Sequence, residues 1–156
     1  VLFFEHKALY RSLSGLVPEE DYTIEFGKGR IVREGKDATI ITYGMGVKWA
    51  ETVLDDHPEW SVELIDLRTL VPWDEKMVSE SVCKTGKALV LHEATMTGGI
   101  GGEISAVIHE NCWQSLDAPV ARTASLDTPV PFASDLEREF MANCRLEADL
   151  EALLNR

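Results

Sequence analysis

The sequence predicts a three-layer α/β fold, a mostly parallel sheet with helices on both faces. Three observations predict it. Short β-branched, largely apolar runs recur along the chain, stretches with apolar residues at helical spacing separate them, and glycine or proline marks most of the joins. Strands that alternate with helices imply βαβ units, and a strand covered on both faces reads as a nearly continuous apolar run. The 156 residues suit one domain with a short extra segment. Strand order does not follow from spacing.

Taken in order, Val1–Glu5 is apolar and aromatic before it turns polar, and reads as one strand that has lost its sheet. The chain has no initiator Met and opens directly in this run, as a piece of a longer protein would. Ser12–Asp21 carries Gly15 and Pro18 among charges and reads as a surface connection. Gly27–Lys36 holds glycines around a short strand, Arg30-Ile31-Val32. Residues 1–36 therefore read as a tail and linker, and 37–156 as the compact domain. Ala38–Tyr43 is the first buried strand, and Gly44-Met45-Gly46 turns the chain into a helix striped by Val47, Ala50 and Leu54. Val62–Leu67 is the next strand. Asp74 N-caps a helix whose inner face holds Val78 and Val82, and Gly86 stops it. Ala88–His92 is the third strand, Thr97–Gly102 a loop, and Ile104, Val107, Ile108 and Cys112 the stripe of the following helix. Val120–Ala124 is a fourth strand and Asp127–Pro131 an extended crossing, because each Pro holds its predecessor out of helix. Ser134 with Glu137 has capping-box spacing at a last helical region, which Asn143 divides.

Fifteen basic against twenty-seven acidic residues give a net charge of −12. That field repels phosphate backbones and anionic membranes, so nucleic acid and lipid headgroups are poor partners, and a basic protein is a good one. The N-terminus lacks the basic start and long apolar centre of a signal peptide. Cys83, Cys112 and Cys144 are an odd set without CxxC pairing, which argues against a disulfide framework or zinc site and for a reducing compartment. Each falls on a helix or its edge, where a thiol acts as a small core hydrophobe.

The strongest local feature runs from His92 to Glu103, with Gly98, Gly99, Gly101 and Gly102 between a buried strand and a helix. In doubly wound sheets that position lies at the carboxyl edge, where ligands bind. The dinucleotide fingerprint fails, since Gly99-x-Gly101 needs a glycine where Ile104 stands, and no Gly-Lys-Ser/Thr follows for a phosphate loop. Close packing of small residues against a neighbouring chain is the other reading. His92 and Glu93 are neighbours on a strand and point to opposite faces, so they do not share a substrate atom without a bend. A hydrogen-bonded structural histidine or an interface contact fits equally. His6, His57 and His109 lack metal spacing, there is no G-x-S-x-G, and Asp66 with Arg68 reads as a local ion pair pinning the strand-to-loop corner. No complete catalytic set and no metal set emerges.

Several segments resemble the β subunits of thiamine-diphosphate-dependent 2-oxo acid dehydrogenases: Leu2–Arg11, Val62–Asp74, Lys84-Thr85-Gly86, His92-Glu93-Ala94, Thr97–Ile104, Leu116–Pro119 and Asp127–Pro131. The resemblance runs from residue 1 to about residue 133. Phe4-Glu5-x-Lys7-x-Leu9-Tyr10 and His-Glu-Ala are most similar to the branched-chain (2-oxoisovalerate) members, with pyruvate and acetoin members as alternatives.

The resemblance implies a transketolase C-terminal-like domain over 37–156, preceded in 1–36 by the end of the pyrimidine-binding domain and its linker. It implies thiamine diphosphate and magnesium in the whole enzyme. None is expected on this chain, which lacks the Gly-Asp-Gly signature and carries no catalytic residue of the family. Implied partners are the remaining domains or α subunit, a second β chain, and the basic module of the lipoyl acyltransferase core. His92, Glu93, Thr97, Gly98, Gly99, Gly101 and Glu103 are the expected subunit interface. Asp135, Glu137, Glu147 and Asp149 are the expected acyltransferase docking carboxylates. The implied location is bacterial cytoplasm, or mitochondrial matrix in a eukaryote. A stand-alone interaction module and a nucleotide-binding α/β domain are the competing readings.

Overall fold

Side-chain alternation along the central strands decides which helices cover them. In the computed structural model, which describes residues 1–156, the sheet has five strands: β1 (Arg30–Arg33), β2 (Ala38–Thr42), β3 (Val62–Asp66), β4 (Ala88–Thr95) and β5 (Ala121–Ser125). Their order is β1-β3-β2-β4-β5, with β1 antiparallel to β3 and every other pair parallel. Ala38, Ile40, Val62, Leu64, Leu89 and Leu91 point to one face and meet α2 (Met45–Asp56) and α6 (Asn143–Leu154) through Ala50, Leu54, Leu146, Leu150 and Leu153. Ile41, Ile65, Ala88 and Val90 point to the other and meet α3 (Glu75–Thr85) and α4 (Gly101–Cys112) through Val78, Val82, Ile104 and Ile108. This is the expected three-layer class.

Local chemistry explains the ends of α3. The Asp74 carboxylate accepts from the Met77 N–H at 3.1 Å, and Gly86 closes the helix at φ 72°, the left-handed value that favours glycine. Two polar sites interrupt the core on the α3 face. The Thr39 hydroxyl bonds those of Ser81 (2.7 Å) and Thr85 (2.8 Å), and Glu63 is buried against the ammonium of Lys84. On the opposite face His57 follows α2, stacks on Trp60 at 3.9 Å and bonds Glu147 of α6 (2.9 Å) and Glu59 (3.2 Å). Those carboxylates, Glu147 foremost, raise the imidazole's pKa.

Several expectations are corrected. Val1–Glu5 is not a strand: its main chain has no ladder partner, and Phe3 and Phe4 are 83% and 86% exposed. The first helix, α1 (Leu9–Ser12), is one turn with no buried residue. Arg30–Arg33, which the sequence reading placed in the linker, is the edge strand of the sheet. Ser134 is not an N-cap. It lies inside α5 (Ser134–Phe140) behind Ala133, and no side-chain cap bond forms. The last helical region does divide, with Met141 extended between α5 and α6. Cys112 is core, but Cys83 and Cys144 lie on the solvent sides of their helices. Asp66 does not pair with Arg68 through charge. It accepts the Arg68 main-chain N–H at 3.1 Å, which holds that residue at φ 57°, while its ionic partner is Arg30 at 3.9 Å.

Candidate functional site

After β2 the chain winds to β3 on one side, and after β4 to β5 on the other. The reversal falls between β2 and β4, so the crevice at their carboxyl ends is where a doubly wound sheet binds ligands. Four segments of this chain meet there: Tyr43-Gly44 after β2, the end of β4 with the glycine loop, the corner after β5, and the N-terminal segment carrying His6.

His92 is the buried centre. Its Nδ1 lies 3.0 Å from the Ala94 carbonyl, which can only accept, so Nδ1 carries the proton and Nε2 is a bare acceptor. Nε2 has no partner. Burial, with a smaller contribution from the charge of Arg122, lowers the ring's pKa against the opposing Ala94 bond, and the imidazole is neutral. Two glycines of the loop, Gly99 and Gly101, make room for this ring. A Cβ at Gly99 would stand 2.5 Å from His92 Cε1 and 2.6 Å from the Thr95 carbonyl oxygen; at Gly101 it would stand 2.5 Å from Nε2. Gly101→Ala should therefore cost about 1–3 kcal/mol, the usual penalty of overpacking. Thermal unfolding measures it, and an unchanged midpoint would show that the ring has room.

Glu93 points away from His92, as alternation requires, and is part-exposed. Its carboxylate bonds His6 Nε2 at 2.9 Å across eighty-seven positions of sequence. Burial and then the charge of Glu93 raise the pKa of half-buried Tyr43. The loop itself is fastened by Asp127, whose carboxylate accepts from the Thr97 N–H (2.9 Å) and hydroxyl (2.6 Å), and by the Met96 N–H on the Ser125 carbonyl at 3.1 Å. Those Thr97 bonds, side chain first, hold the Asp127 carboxyl below its ordinary value. Gly98 is exposed at φ 76°, and Glu103 is exposed in the first turn of α4.

The arrangement supplies hydrogen-bonding groups but no activated nucleophile. No three His, Cys, Asp or Glu side chains stand where they could hold a metal ion.

The family described as "Transketolase, C-terminal domain" matches residues 27–145. The chain belongs to that family. The matched stretch starts in the loop before β1. Among relatives, the chain is 49% identical over 133 residues to 2-oxoisovalerate dehydrogenase subunit beta 2, mitochondrial, of Arabidopsis thaliana, covering 84% of this chain and 37% of that one. It is 43% identical over 146 residues to 2-oxoisovalerate dehydrogenase subunit beta of Bacillus subtilis (strain 168), covering 92% and 45%. It is 46% identical over 136 residues to pyruvate dehydrogenase E1 component subunit beta of Staphylococcus aureus (strain Mu50 / ATCC 700699), covering 85% and 41%. The chain thus spans less than half the length of these relatives. A split-gene transketolase, solved as an inactive β4 tetramer, shares the fold at TM-score 0.73 with 24% identity, covering 90% of this chain and 46% of that one.

Of the interface residues named from sequence, the structure gathers all at this edge of the transketolase C-terminal domain but gives them different standing. His92 is fully enclosed and cannot touch a partner directly; it shapes the loop instead. Glu93, Thr97, Gly98 and Glu103 face outward or partly so. The four acidic residues do not form one group. Asp135 and Glu137 lie exposed on α5, Glu147 is engaged by His57, and Asp149 accepts from the Thr123 hydroxyl at 2.7 Å, which pins α6 to β5. Sequence reasoning missed His6, Tyr43 and Asp127 as members of the edge. The Asp-Thr-Pro motif could have pointed to Asp127, which it singled out only as the start of an extended crossing; nothing local points to His6.

Proposed function

We propose that this chain is the C-terminal domain of the decarboxylating component of a 2-oxo acid dehydrogenase, most similar to the branched-chain (2-oxoisovalerate) type. It serves subunit assembly and acyltransferase docking. In the whole enzyme thiamine diphosphate and magnesium carry the oxidative decarboxylation, and the acyl group passes to lipoyl-lysine. Catalytic residues lie on other domains. The observation that carries the reading is the identity of 43–49% to two 2-oxoisovalerate dehydrogenase β subunits over most of this chain.

The geometry supports an assembly role. The carboxyl-edge crevice is occupied by side chains bonded to one another, and the unsatisfied surface is apolar: Leu2, Phe3, Phe4, Leu16 and Val17 are exposed in the N-terminal segment. Neighbouring domains cover such surface. Residues 1–36 in this reading bring the end of the pyrimidine-binding domain and its linker, with β1 shared into the C-terminal domain's sheet. A second β chain meets the glycine-loop edge through Glu93, Thr97, Gly98 and Glu103. No helix is long and apolar enough to cross a membrane. The compartment is bacterial cytoplasm, or mitochondrial matrix in a eukaryote.

The test is a longer protein, extended upstream and assembled with its partner subunit. Carbon dioxide release from 2-oxoisovalerate in the presence of thiamine diphosphate and magnesium is the expected result. Faster turnover of pyruvate would favour the pyruvate reading, which the 46% identity to the Staphylococcus subunit supports. Titration of this chain alone with thiamine diphosphate and with NAD should give heats near zero, and saturable NAD binding would favour a nucleotide-binding domain.

Docking has its own test. Asp135 and Glu137 are exposed on α5 and can steer a basic acyltransferase module, Asp135 held only by its neighbour Arg138 at 3.1 Å, whereas Glu147 is bonded to His57 and Asp149 to Thr123. Reversing Asp135 and Glu137 to Lys should slow association roughly tenfold at low ionic strength and flatten its salt dependence. An unaltered rate would remove this patch from docking.

A further inference from the structure

We propose that His57 is a pH-sensitive clamp between α2 and α6. As an imidazolium it bonds Glu147 of α6 and Glu59 of the α2–β3 connection at once; on losing its proton it cannot hold both. The two ring nitrogens decide the charge. Nε2 lies 2.9 Å from Glu147 Oε1, and Nδ1 lies 3.2 Å from Glu59 Oε1. An ionised carboxylate only accepts, and a neutral imidazole has one N–H and one bare lone pair. The neutral ring therefore satisfies one carboxylate and turns a lone pair on the other. Whichever bond persists has lost its charge assistance. The imidazolium alone donates to both.

Two further contacts favour the same charge. His57 is the C-cap of α2, its N–H on the Val53 carbonyl at 3.2 Å, and a cation there meets the negative end of the helix dipole. Its ring lies flat on Trp60, with centroids 3.9 Å and planes 6° apart, and an indole face attracts a cation. The bonds to Glu147 first and Glu59 second raise the ring's pKa, against a smaller opposing effect of burial.

The clamp acts where α6 meets α2. Glu147 stands between the buried Leu146 and Leu150, which pack with Ala50 and Leu54 of α2. Neighbouring charges have other partners. Asp55 of α2 is held by Arg33 at 3.2 Å, and Asp149 of α6 accepts from Thr123 at 2.7 Å. Beyond Trp60, Lys36, Asp37, Lys87 and Asp117 line a hollow with Glu59; Lys87 bonds the Leu154 carbonyl at 2.8 Å, and none of the four bonds the ring.

The sign with pH follows from the raised value. The clamp's contribution to stability is whole below the unfolded value of 6.5 and is lost as pH rises through the folded one. Below about pH 4 the two carboxylates take up protons and it opens again. Both carboxylates are 64% exposed, so added salt weakens it.

The test is a proton NMR titration of the full chain, following the His57 ring from about pH 5 to about pH 9. The expected midpoint lies above 6.5, and Glu147→Gln brings it down further than Glu59→Gln does. A midpoint at or below 6.5, or one that Glu147→Gln leaves in place, would overturn the proposal. Amide exchange of Asn143–Leu154 gives a second readout against His57→Phe, which keeps a ring on Trp60 without its nitrogens. The parent should exchange more slowly than this variant near about pH 6, and the difference should be lost near about pH 9. Equal exchange at the lower pH, or a difference that persists unchanged at the higher, would reduce His57 to a packing residue and sink the clamp. The parent's titration decides even if a variant fails to fold.

Discussion

Gly35→Ala should lower stability by more than about 3 kcal/mol, beyond the ordinary overpacking range, because nothing around the new methyl can rotate away. Gly35 is buried where the chain passes from β1 to β2, and a Cβ there would collide with the main chain of Val62 and Glu63 and lie 2.7 Å from the Ser61 carbonyl oxygen. That carbonyl is already taken by two donors, the N–H groups of Lys36 (2.7 Å) and Asp37 (2.8 Å). Relief requires the β1–β2 connection to lift from β3, which breaks both bonds and the antiparallel pairing of Arg30 with Asp66 and Ile31 with Ile65. The expected fall in Tm is about 6–12 °C for a domain of this size. Amide exchange should show early loss of protection in Arg30–Arg33. A variant within about 1 kcal/mol of the parent would mean that the turn relaxes without cost.

The central layers were legible because periodicity reports burial. Ala38–Thr42 is buried at every position and reads as a run rich in β-branched residues, while Val78–Val82 and Ile104–Ile108–Cys112 mark helix stripes facing the sheet. Asp74 and Gly86 were legible as caps because their chemistry is local. Long-range chemistry was not. The glycines of the loop after β4 look from sequence like a ligand cradle, yet Gly99 and Gly101 are set by the size of an imidazole several residues earlier. His6 meets Glu93 only because the N-terminal segment folds back over the edge. Arg30–Arg33 is short and flanked by glycines, so it reads as linker, and only its pairing with β3 shows it to be sheet. The expectation that all three cysteines are core failed at Cys83 and Cys144 because helix membership does not specify which side of the helix a short side chain occupies.

Glu63 is the acidic residue most dependent on its partner. Its side chain is 1% exposed on β3, whereas Lys84, the cation against it, is 45% exposed and also reaches Glu34 at 3.5 Å. Burial by itself would raise the Glu63 pKa; the hydrogen bond from Lys84, helped by Ser81 and Glu34, outweighs it and leaves the carboxyl below its ordinary value. Lys84→Met removes the counterion while keeping the length of the stem. Stranding a buried carboxylate costs about 3–5 kcal/mol, and the partly solvated Lys84 head places this variant at the lower end. The sign with pH follows. In the parent a lowered folded-state value contributes stability that is full above the unfolded value near 4.5 and is lost as pH falls through the folded one. In the variant the same carboxyl, now governed by burial, has a raised value, so folding is penalised at neutral pH and relieved on acidification. The gap between the two proteins should therefore be widest near pH 7 and shrink below about pH 4.5. The double variant Glu63→Gln with Lys84→Met separates charge from packing: it should recover most of the loss, since a neutral amide keeps the shape without the uncompensated charge. Denaturant midpoints at pH 7 and pH 4 for the parent and the two variants measure this. An equal loss at both values would assign the effect to the methylene stem of Lys84 and not to its charge.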